Sequence, residues 1–165
     1  MKSIQKIQKR ITKRNESRLK NLMDKGYGSG ILKNPKAAKI IIDGWKFFDK
    51  EKYDLCSYVV MPNHVHLLIK TYEEPVSRII KSWKSFTAKA IRKCFASSNH
   101  AEYNSAPPEI LMAGTPFWQR EYWDRFIRDQ AHFNQTVNYI HNNPVKAGLC
   151  QNINDWKWSS AYITN

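Results

Sequence analysis

A chain of 165 residues, of which 42% are hydrophobic and 13% aromatic, is long enough to form one domain with a buried core, which excludes an intrinsically disordered protein. Lys and Arg outnumber Asp and Glu by 27 to 14, and the formal net charge is +13. This excess favours a polyanionic partner, nucleic acid ahead of a membrane, although a generic basic protein stays open. The sequence shows neither a transmembrane run nor a signal peptide, so we expect a cytoplasmic protein without a membrane partner.

The cysteine pattern predicts reduced thiols. Cys56, Cys94 and Cys150 are odd in number and widely separated, and none belongs to a CxxC pair. Such a pattern is typical of a cytoplasmic protein and argues against a disulfide framework or a cysteine-bound zinc ion.

The start of the chain is a basic amphipathic segment. Over residues 1–23, Lys, Arg and Gln alternate with apolar residues such as Ile4 and Ile7 at helical spacing. The Gly-rich stretch "DKGYGSGIL" then interrupts the pattern. We therefore predict a basic helical extension over 1–30 and a single domain over 31–165.

The domain is predicted to open with a helix followed by a β-hairpin. Asn34 suits the N-cap and Pro35 the first helical position, so "NPKAAKIIIDGWKFFDK" predicts a helix through about Lys50. The apolar stretch "YDLCSYVVMPNHVHLLIK" predicts strands over 55–61 and 64–70, with Pro-Asn at the turn between them.

The second half predicts further helices around an aromatic segment. "EEPVSRIIKSWKSFTAKAIRKCF" is typical of a helix with one apolar side and a largely positive remainder, and residues 97–115 have loop composition. "FWQREYWDRFI" is compatible with a strand, and "RDQAHFNQTVNYIHNN" favours a helix that Pro144 and Gly148 end. The order of elements predicts an α+β domain with a small antiparallel sheet flanked by helices.

His64 and His66 are separated by one residue on the second predicted strand. Positions i and i+2 of a strand share a face, so the imidazoles project side by side and can bind one metal ion. The alternative is that both are ordinary polar residues on the outer face of a sheet, because HxH is a short and weak pattern. Their position at the exit of a turn favours the metal site.

Tyr139 and Asn143 lie at i and i+4 of the last predicted helix, on one face that we expect to be largely opposite the apolar stripe of that helix. They offer a nucleophile and a third ligand. The alternatives are an amphipathic rim residue and a helix C-terminal residue. Spacing alone does not place this helix over the hairpin.

Several motifs occur in a characteristic order: "YVVMPNHVHLLIK", "IKSWKSFTAKAI", "FWQREYWDRFIRD", "NYIHNNPVKAGL" and "WKWSSAY". From about residue 28 to its end the sequence thereby resembles the REP-associated tyrosine transposases. These belong to the HUH single-tyrosine transposases, where HUH denotes His, a bulky apolar residue and His. The resemblance implies an RNA-recognition-motif or ferredoxin-like antiparallel sheet flanked by helices. It also implies a substrate of single-stranded DNA, often a hairpin from a repeated extragenic palindrome.

The resemblance also implies a role for individual residues. His64 and His66 match the HUH histidines, which bind a divalent ion, usually Mg²⁺ or Mn²⁺, and Asn143 matches the polar residue that completes this site. Tyr139 matches the nucleophile, which would leave a 5′-phosphotyrosine and a free 3′-hydroxyl. Imidazole and amide ligands also accept cobalt or zinc, so the identity of the metal stays open.

The positive charge predicts a phosphate track across two segments. The residues expected to contact DNA are Arg78, Lys81, Lys84, Lys89, Arg120, Arg125 and Arg128. Trp118, Tyr122 and Trp123 suit base stacking, but a cluster this apolar favours the core. The basic segment 1–20 is a second DNA contact or a solvated helix face.

The start of the chain departs from the family pattern. Members usually open with a strand before the first helix, and "MKSIQKIQKRITKRNESRLK" does not resemble one. We therefore expect a sheet that lacks its first strand, because the start is truncated or the strand is lost.

Besides a strand transferase, two functions stay open. One is a catalytically impaired remnant that binds DNA hairpins. The other is a water-using hydrolase, which is disfavoured because the motif holds no Asp or Glu as general base. Monomer and homodimer both stay open.

Overall fold

The computed structural model describes residues 30–96, 109–112, 114–120, 122 and 124–163. In chain order its main elements are α1 (Pro35–Lys46), β1 (Tyr53–Val60), β2 (Val65–Thr71), α2 (Val76–Ala96) and α3 (Gln130–Lys146). Single 3₁₀ turns lie at Ile31–Lys33 and Glu109–Leu111. This order confirms the predicted α+β class. The predictions for residues 1–23, a basic helix without a strand, concern residues outside these ranges.

The two strands form an antiparallel hairpin, which is the whole sheet within the described ranges. Val59 pairs with His66, and Val60 pairs with Val65. Because directly opposed residues share a face, Val59 and His66 face one side of the hairpin and Val60 and Val65 face the other. The register therefore divides the hairpin into a histidine-bearing face and a largely apolar face.

The apolar face is covered by α1 and α2. Tyr53 of β1, 1% exposed, lies between Trp45 of α1 and Trp83 of α2. Its hydroxyl donates to the Trp45 carbonyl at 2.6 Å and accepts from the indole Nε1 of Trp83 at 3.1 Å. Large aromatic side chains dominate core energetics when their polar ends are bonded. This trio therefore ties both helices to the start of the hairpin.

The histidine-bearing face is covered by α3. Val59 and Leu68 of the hairpin pack against Ile140 of α3 in a second, smaller cluster. Asp129 caps the helix, and its carboxylate accepts a backbone N–H of the first turn at 2.7 Å. The cluster fixes α3 over the strand face from which His66 projects.

The C-terminal segment (156–163) lies along the outer edge of β1. The N–H of Val60 donates to the Trp158 carbonyl at 2.9 Å, and the N–H of Ser160 donates to the Tyr58 carbonyl at 3.0 Å. Backbone groups of an open strand edge would otherwise need water or a foreign strand. The segment therefore closes this edge of the hairpin.

The first helix is shorter than predicted. It ends at Lys46, whereas the apolar pattern predicted an end near Lys50. Lys50 has a φ of 67°, in the left-handed region that a right-handed helix cannot include. Its N–H donates to the Tyr53 carbonyl at 2.7 Å, so the chain is already turning into β1. The predicted cap is confirmed, since Asn34 accepts the N–H of Lys36 at 2.9 Å.

The strand predicted in the aromatic segment is wrong. The described residues of 117–128 have irregular backbone. Nζ of Lys84 on α2 donates to the carbonyls of Gln119 and Arg120 at 2.7 and 3.3 Å, so a side chain occupies acceptors that a partner strand would use. Trp118 packs against the core instead. Phe117 and Trp118 therefore contribute to core packing rather than to strand pairing.

Pro144 lies inside α3 and does not end it as predicted. The helix continues to Lys146, and Gly148 follows with a φ of 67°, the left-handed conformation common after helix ends. Proline lacks the N–H that would bond to the carbonyl of Ile140. Pro144 lies in the last turn, so the missing hydrogen bond does not prevent the helix from continuing to Lys146.

Candidate active site

His64 and His66 meet at the start of β2. Their Nε2 atoms lie 3.1 Å apart, and the ring centroids are 4.8 Å apart. His64 is 9% exposed and His66 is half-buried. The pair projects side by side as predicted, and it faces α3 rather than forming part of an open outer face.

The second ring nitrogen of His64 has a partner of its own. Nδ1 lies 2.7 Å from Oδ1 of Asn63. An amide oxygen only accepts, so Nδ1 carries the proton and Nε2 presents its lone pair toward His66. Metal-binding histidines are commonly oriented by such a bond from the other ring nitrogen. Sequence reasoning did not include Asn63, although its place directly before the first histidine was a usable signal.

The spacing of the two Nε2 atoms suits one shared ion. Two nitrogens about 2.1 Å from an ion and at a right angle to each other lie roughly 3.0 Å apart. The observed 3.1 Å fits this arrangement. Within the described ranges no three His, Cys, Asp or Glu side chains converge on a common point, so a third ligand from these ranges would be of another type.

The ring of Tyr139 lies against His66. Their centroids are 5.4 Å apart and the planes are inclined at 76°. Tyr139 is half-buried at the border of the cluster under α3. Nζ of Lys146, seven residues further along the same helix, lies 5.5 Å from its ring centroid. Sequence reasoning missed this lysine, although i and i+7 share a helical face.

Asn143 is buried one helical turn beyond the tyrosine, with 7% of its surface exposed. Its Nδ2 donates to the Tyr139 carbonyl at 2.7 Å. This bond uses the donor end of the amide and leaves Oδ1, the end that a cation binds. Because Asn143 and Ile140 are both buried, the Tyr139–Asn143 face adjoins the apolar stripe and is not opposite to it as expected.

His141 joins α3 to the hairpin and to the C-terminal segment. Its Nε2 lies 3.0 Å from Oγ of Ser57 and 2.8 Å from Oγ of Ser160. The same Ser160 oxygen accepts the N–H of Tyr58 at 3.0 Å. Burial lowers the pKa of His141, which favours the neutral ring. This network fixes the helix that carries the tyrosine against β1.

Residues 35–143, more than half of the chain, match the sequence model described as IS200-like transposase. The chain belongs to the IS200-like transposase family. The matched range begins at α1 and ends at Asn143, so it includes the histidine pair and Tyr139. The family resemblance expected from the sequence motifs is thereby confirmed.

Two curated relatives are similar to this chain over about half of their own length. A putative REP-associated tyrosine transposase of Haemophilus influenzae is 28% identical over 111 residues, which are 66% of this chain and 58% of that protein. The REP-associated tyrosine transposase of Escherichia coli is 24% identical over 108 residues, which are 66% and 54% of the two chains.

One solved structure shares the fold. It is described as a REP-associated tyrosine transposase bound to a REP hairpin, and it matches with a TM-score of 0.53 and 21% identity. The match covers 76% of this chain and 63% of the other chain. The predicted fold class is confirmed by this match. Among the described helices, none is both long and apolar enough to cross a membrane.

The basic residues predicted on α2 lie away from the histidine pair, because α2 packs on the apolar face of the hairpin. Arg78, Lys81 and Lys89 are exposed there, and Arg78 is paired with a glutamate of the preceding turn at 3.2 Å. Lys84 is half-buried, and burial lowers its pKa. Its ammonium bonds two carbonyls of the 117–128 segment, so the main role of Lys84 is to anchor that segment.

The 117–128 segment connects the two layers of the fold. Trp118 packs with the core under α1 and α2, and Ile127 packs with the cluster under α3. Arg120, Arg125 and Arg128 are all exposed along it. These three arginines therefore follow the route from the α2 side to the start of the tyrosine helix.

Phe126 is the most exposed aromatic residue described in this segment, at 87%. It lies between Arg125 and Arg128, and an exposed ring among cations is typical of single-strand binding surfaces. Sequence reasoning offered Trp118 and Tyr122 instead, with the core favoured for both. Trp118 is indeed packed in the core, Tyr122 is exposed, and Trp123 lies outside the described ranges. The run Arg-Phe-Ile-Arg was the missed signal.

Proposed function

We propose that this chain is a metal-dependent endonuclease and strand transferase that acts on single-stranded hairpin DNA in transposition. The observation that carries the proposal is the contact between Tyr139 and His66, at 5.4 Å between ring centroids, beside two histidine nitrogens spaced for one ion. The family membership, a structural relative described as bound to a REP hairpin, and the net charge of +13 support it. We place its action in the cytoplasm, at the nucleoid.

In this proposal His64 and His66 would hold a divalent ion, Mg²⁺ or Mn²⁺, through Nε2, and Asn143 would contribute Oδ1. Such an ion, when bound, polarises the scissile phosphate as a Lewis acid. All three ligands are neutral, so they leave the positive charge of the ion uncompensated. A phosphate group is the natural anionic partner of such a centre.

Tyr139 would act as the nucleophile. Its phenol oxygen forms a bond to phosphorus, the bond from phosphorus to the 3′ oxygen breaks, and that oxygen leaves as a 3′-hydroxyl after taking up a proton. The DNA then carries a 5′-phosphotyrosine ester. Because this link is still a phosphodiester, a 3′-hydroxyl can later displace Tyr139 without ATP.

The surroundings of Tyr139 would orient this attack. His66 packs against one edge of the ring, and His141 holds α3 to β1 through two serine hydroxyls. Lys146 places a positive charge near the ring, where negative charge develops as the phenol loses its proton. A phenol with an ordinary pKa near 10 is otherwise a poor nucleophile at neutral pH.

A covalent-adduct assay tests the proposal. Labelled single-stranded hairpin DNA from a repeated extragenic palindrome is incubated with the protein and either Mn²⁺ or EDTA, and then run on a denaturing gel. We expect a slow-migrating adduct with Mn²⁺ that is lost in Tyr139→Phe and His64→Ala. Tyr72→Phe is the matched control, since Tyr72 is an exposed residue whose hydroxyl bonds Asp54. An adduct that persists in Tyr139→Phe would refute the assignment of the nucleophile.

A second candidate is a binding module without cleavage. The exposed Arg120, Arg125 and Arg128 would support binding by themselves. The chain spans about half the length of the curated relatives it matches. It predicts hairpin binding that survives EDTA and yields no adduct with any divalent ion. The same gel, paired with a binding measurement, separates the two functions.

A further inference from the structure

A basic cleft lies between α1 and the C-terminal segment, on the side of the hairpin away from the tyrosine. Its volume is about 410 Å³, within the range of small-molecule sites. Tyr58 lines the cleft and belongs to the core under α1 and α2, whereas its neighbour Val59 belongs to the cluster under α3. The cleft is therefore separate from the histidine pair and is not used in the proposed cleavage.

Two ammonium groups bring positive charge to the cleft. Nζ of Lys46 lies 5.9 Å from the ring centroid of Tyr58, and Nζ of Lys157 lies 4.8 Å from that of Trp158. Within the described ranges the basic partners of ion pairs are other residues, so neither ammonium is neutralised by a carboxylate there. Both charges are available to an anionic ligand.

The third lysine of the cleft differs. Lys39 pairs with Asp43 at 2.6 Å, and both line the cleft. Their charges offset each other, so the cleft keeps the two positive charges of Lys46 and Lys157. The carboxylate of Asp43 also disfavours a ligand with dense negative charge near this end of the cleft.

Aromatic and hydroxyl groups complete the lining. Tyr162 is exposed and Trp158 is half-buried, and both border the cleft. Ser160, also at the cleft, bonds Tyr58 and His141 through its hydroxyl. Two cations beside accessible aromatic faces match the phosphate and the base of one nucleotide.

We propose that this cleft binds an unpaired nucleotide of single-stranded DNA, with the phosphate between Lys46 and Lys157 and the base against Tyr162 or Trp158. Stacking on these rings needs an unpaired base, which a duplex does not offer. The inference extends the proposed function, since it assigns the cleft to a single-stranded part of the same DNA. The bond between Ser160 and His141 joins this cleft to the helix that carries the tyrosine.

The test uses the full chain in EDTA and fluorescein-labelled dT12, with affinity measured by anisotropy at several salt concentrations. In the double variant Lys46→Gln/Lys157→Gln we expect Kd to rise at least tenfold. The slope of log K against log salt should fall by about 0.7, since the cleft neutralises one phosphate and each such phosphate on a single strand contributes about 0.7. Tyr162→Ala should weaken binding about fivefold and leave the salt slope unchanged, because stacking releases no counterions.

The matched control is Lys33→Gln/Lys36→Gln, which removes the same charge. Both lysines are exposed near the start of α1, and ten residues of helix, about 15 Å, separate Lys36 from Lys46. We expect this control to change Kd less than twofold. Equal weakening by both doubles would overturn the inference, because it would show that only the overall charge matters.

Two further binding measurements identify the ligand. Unlabelled dTMP at 1 mM should leave dT12 bound, and displacement by it would reassign the cleft to free mononucleotides. The Lys46→Gln/Lys157→Gln variant should bind a blunt duplex almost as tightly as the parent chain does. A loss of duplex affinity equal to the loss for dT12 would overturn the assignment to unpaired DNA.

The outcomes separate this inference from the proposed function. If no adduct forms with hairpin DNA but the two double variants still differ in their Kd for dT12, the cleavage proposal fails and the cleft assignment stands. If adducts form normally and the two doubles bind dT12 alike, the cleft assignment alone fails.

Discussion

The ring of Tyr139 lies edge-on to His66, at 5.4 Å between centroids, and strand register explains the contact. Val59 is the direct partner of His66 across the hairpin and packs under Ile140 of α3. Tyr139 immediately precedes Ile140, so its ring falls beside the neighbouring strand and meets His66. An apolar contact therefore decides where the nucleophile of the proposed reaction lies.

Ile140→Ala should consequently affect both stability and the site. Ile140 is 2% exposed, and truncation of a buried isoleucine to alanine costs about 2–5 kcal/mol in free energy of unfolding. Urea unfolding followed by circular dichroism measures the loss. Ile163→Ala, at an exposed position of the C-terminal segment, is the matched control and should change the free energy by less than about 0.5 kcal/mol.

If α3 is held mainly by this contact, the adduct yield of Ile140→Ala should also fall under conditions where the variant is still folded. An unchanged yield in the folded variant would show that other contacts suffice to place Tyr139.

Local features of the site were predictable because their causes are local. The spacing of His64 and His66 dictates that they share a strand face, and Asn34 caps α1 as its side chain requires. The position of α3 over that face was not predictable, since it depends on Val59 and Ile140, which are distant in the chain.

The errors have the same origin. Lys84 occupies the carbonyls of Gln119 and Arg120, and nothing in an aromatic run reveals that a lysine from another helix will do so. His141 was overlooked because it acts through Ser57 and Ser160, and such a role becomes visible only when the partner atoms are placed.

Asn63→Ala should weaken metal binding without removing a proposed ligand. Its Oδ1 accepts from Nδ1 of His64 at 2.7 Å and so keeps the Nε2 lone pair directed at the proposed ion. We expect Mn²⁺ affinity, measured by calorimetry without DNA, to fall about 10- to 100-fold. His64→Ala should abolish binding altogether.

Asn142→Ala is the control for this measurement. Asn142 is half-buried, and its Nδ2 bonds the Asn138 carbonyl within α3 rather than a residue of the histidine site. Its variant should bind Mn²⁺ as the parent chain does. Equal affinities for the Asn63 and Asn142 variants would refute an orienting role for Asn63.

Because of His141, we expect the free energy of unfolding to decrease in mild acid. Burial lowers its pKa in the folded state, so below the unfolded value of about 6.5 the unfolded chain binds more protons than the folded one. The free energy of unfolding therefore decreases as pH falls through 6.5, and the decrease stops below the folded pKa.

Urea unfolding of the parent chain and of His141→Gln, at pH 7.5 and at pH 5 with EDTA, measures this contribution. The variant keeps a side chain that can bond Ser57 or Ser160 but does not titrate, so its stability should fall less between the two pH values. An identical fall in both proteins would assign the acid sensitivity to other histidines.

Phe126→Ala should weaken DNA binding and leave stability unchanged. The ring is 87% exposed, so its removal costs the fold little, whereas loss of one base-stacking contact weakens single-strand binding by about 1–3 kcal/mol. Arg125 and Arg128 beside it supply phosphate contacts, and Ile127 anchors the backbone to the cluster under α3. We expect the loss with hairpin DNA that carries unpaired flanks, measured by anisotropy.

Phe47→Ala is the matched control for this measurement. Phe47 is also highly exposed, at 74%, but it lies at the end of α1, on the layer opposite the tyrosine helix. Its removal subtracts the same apolar surface, so a general effect of exposed aromatic residues would appear in both variants. A loss confined to Phe126→Ala would place the DNA along the 117–128 segment, and an equal loss in both would remove the reason to place it there.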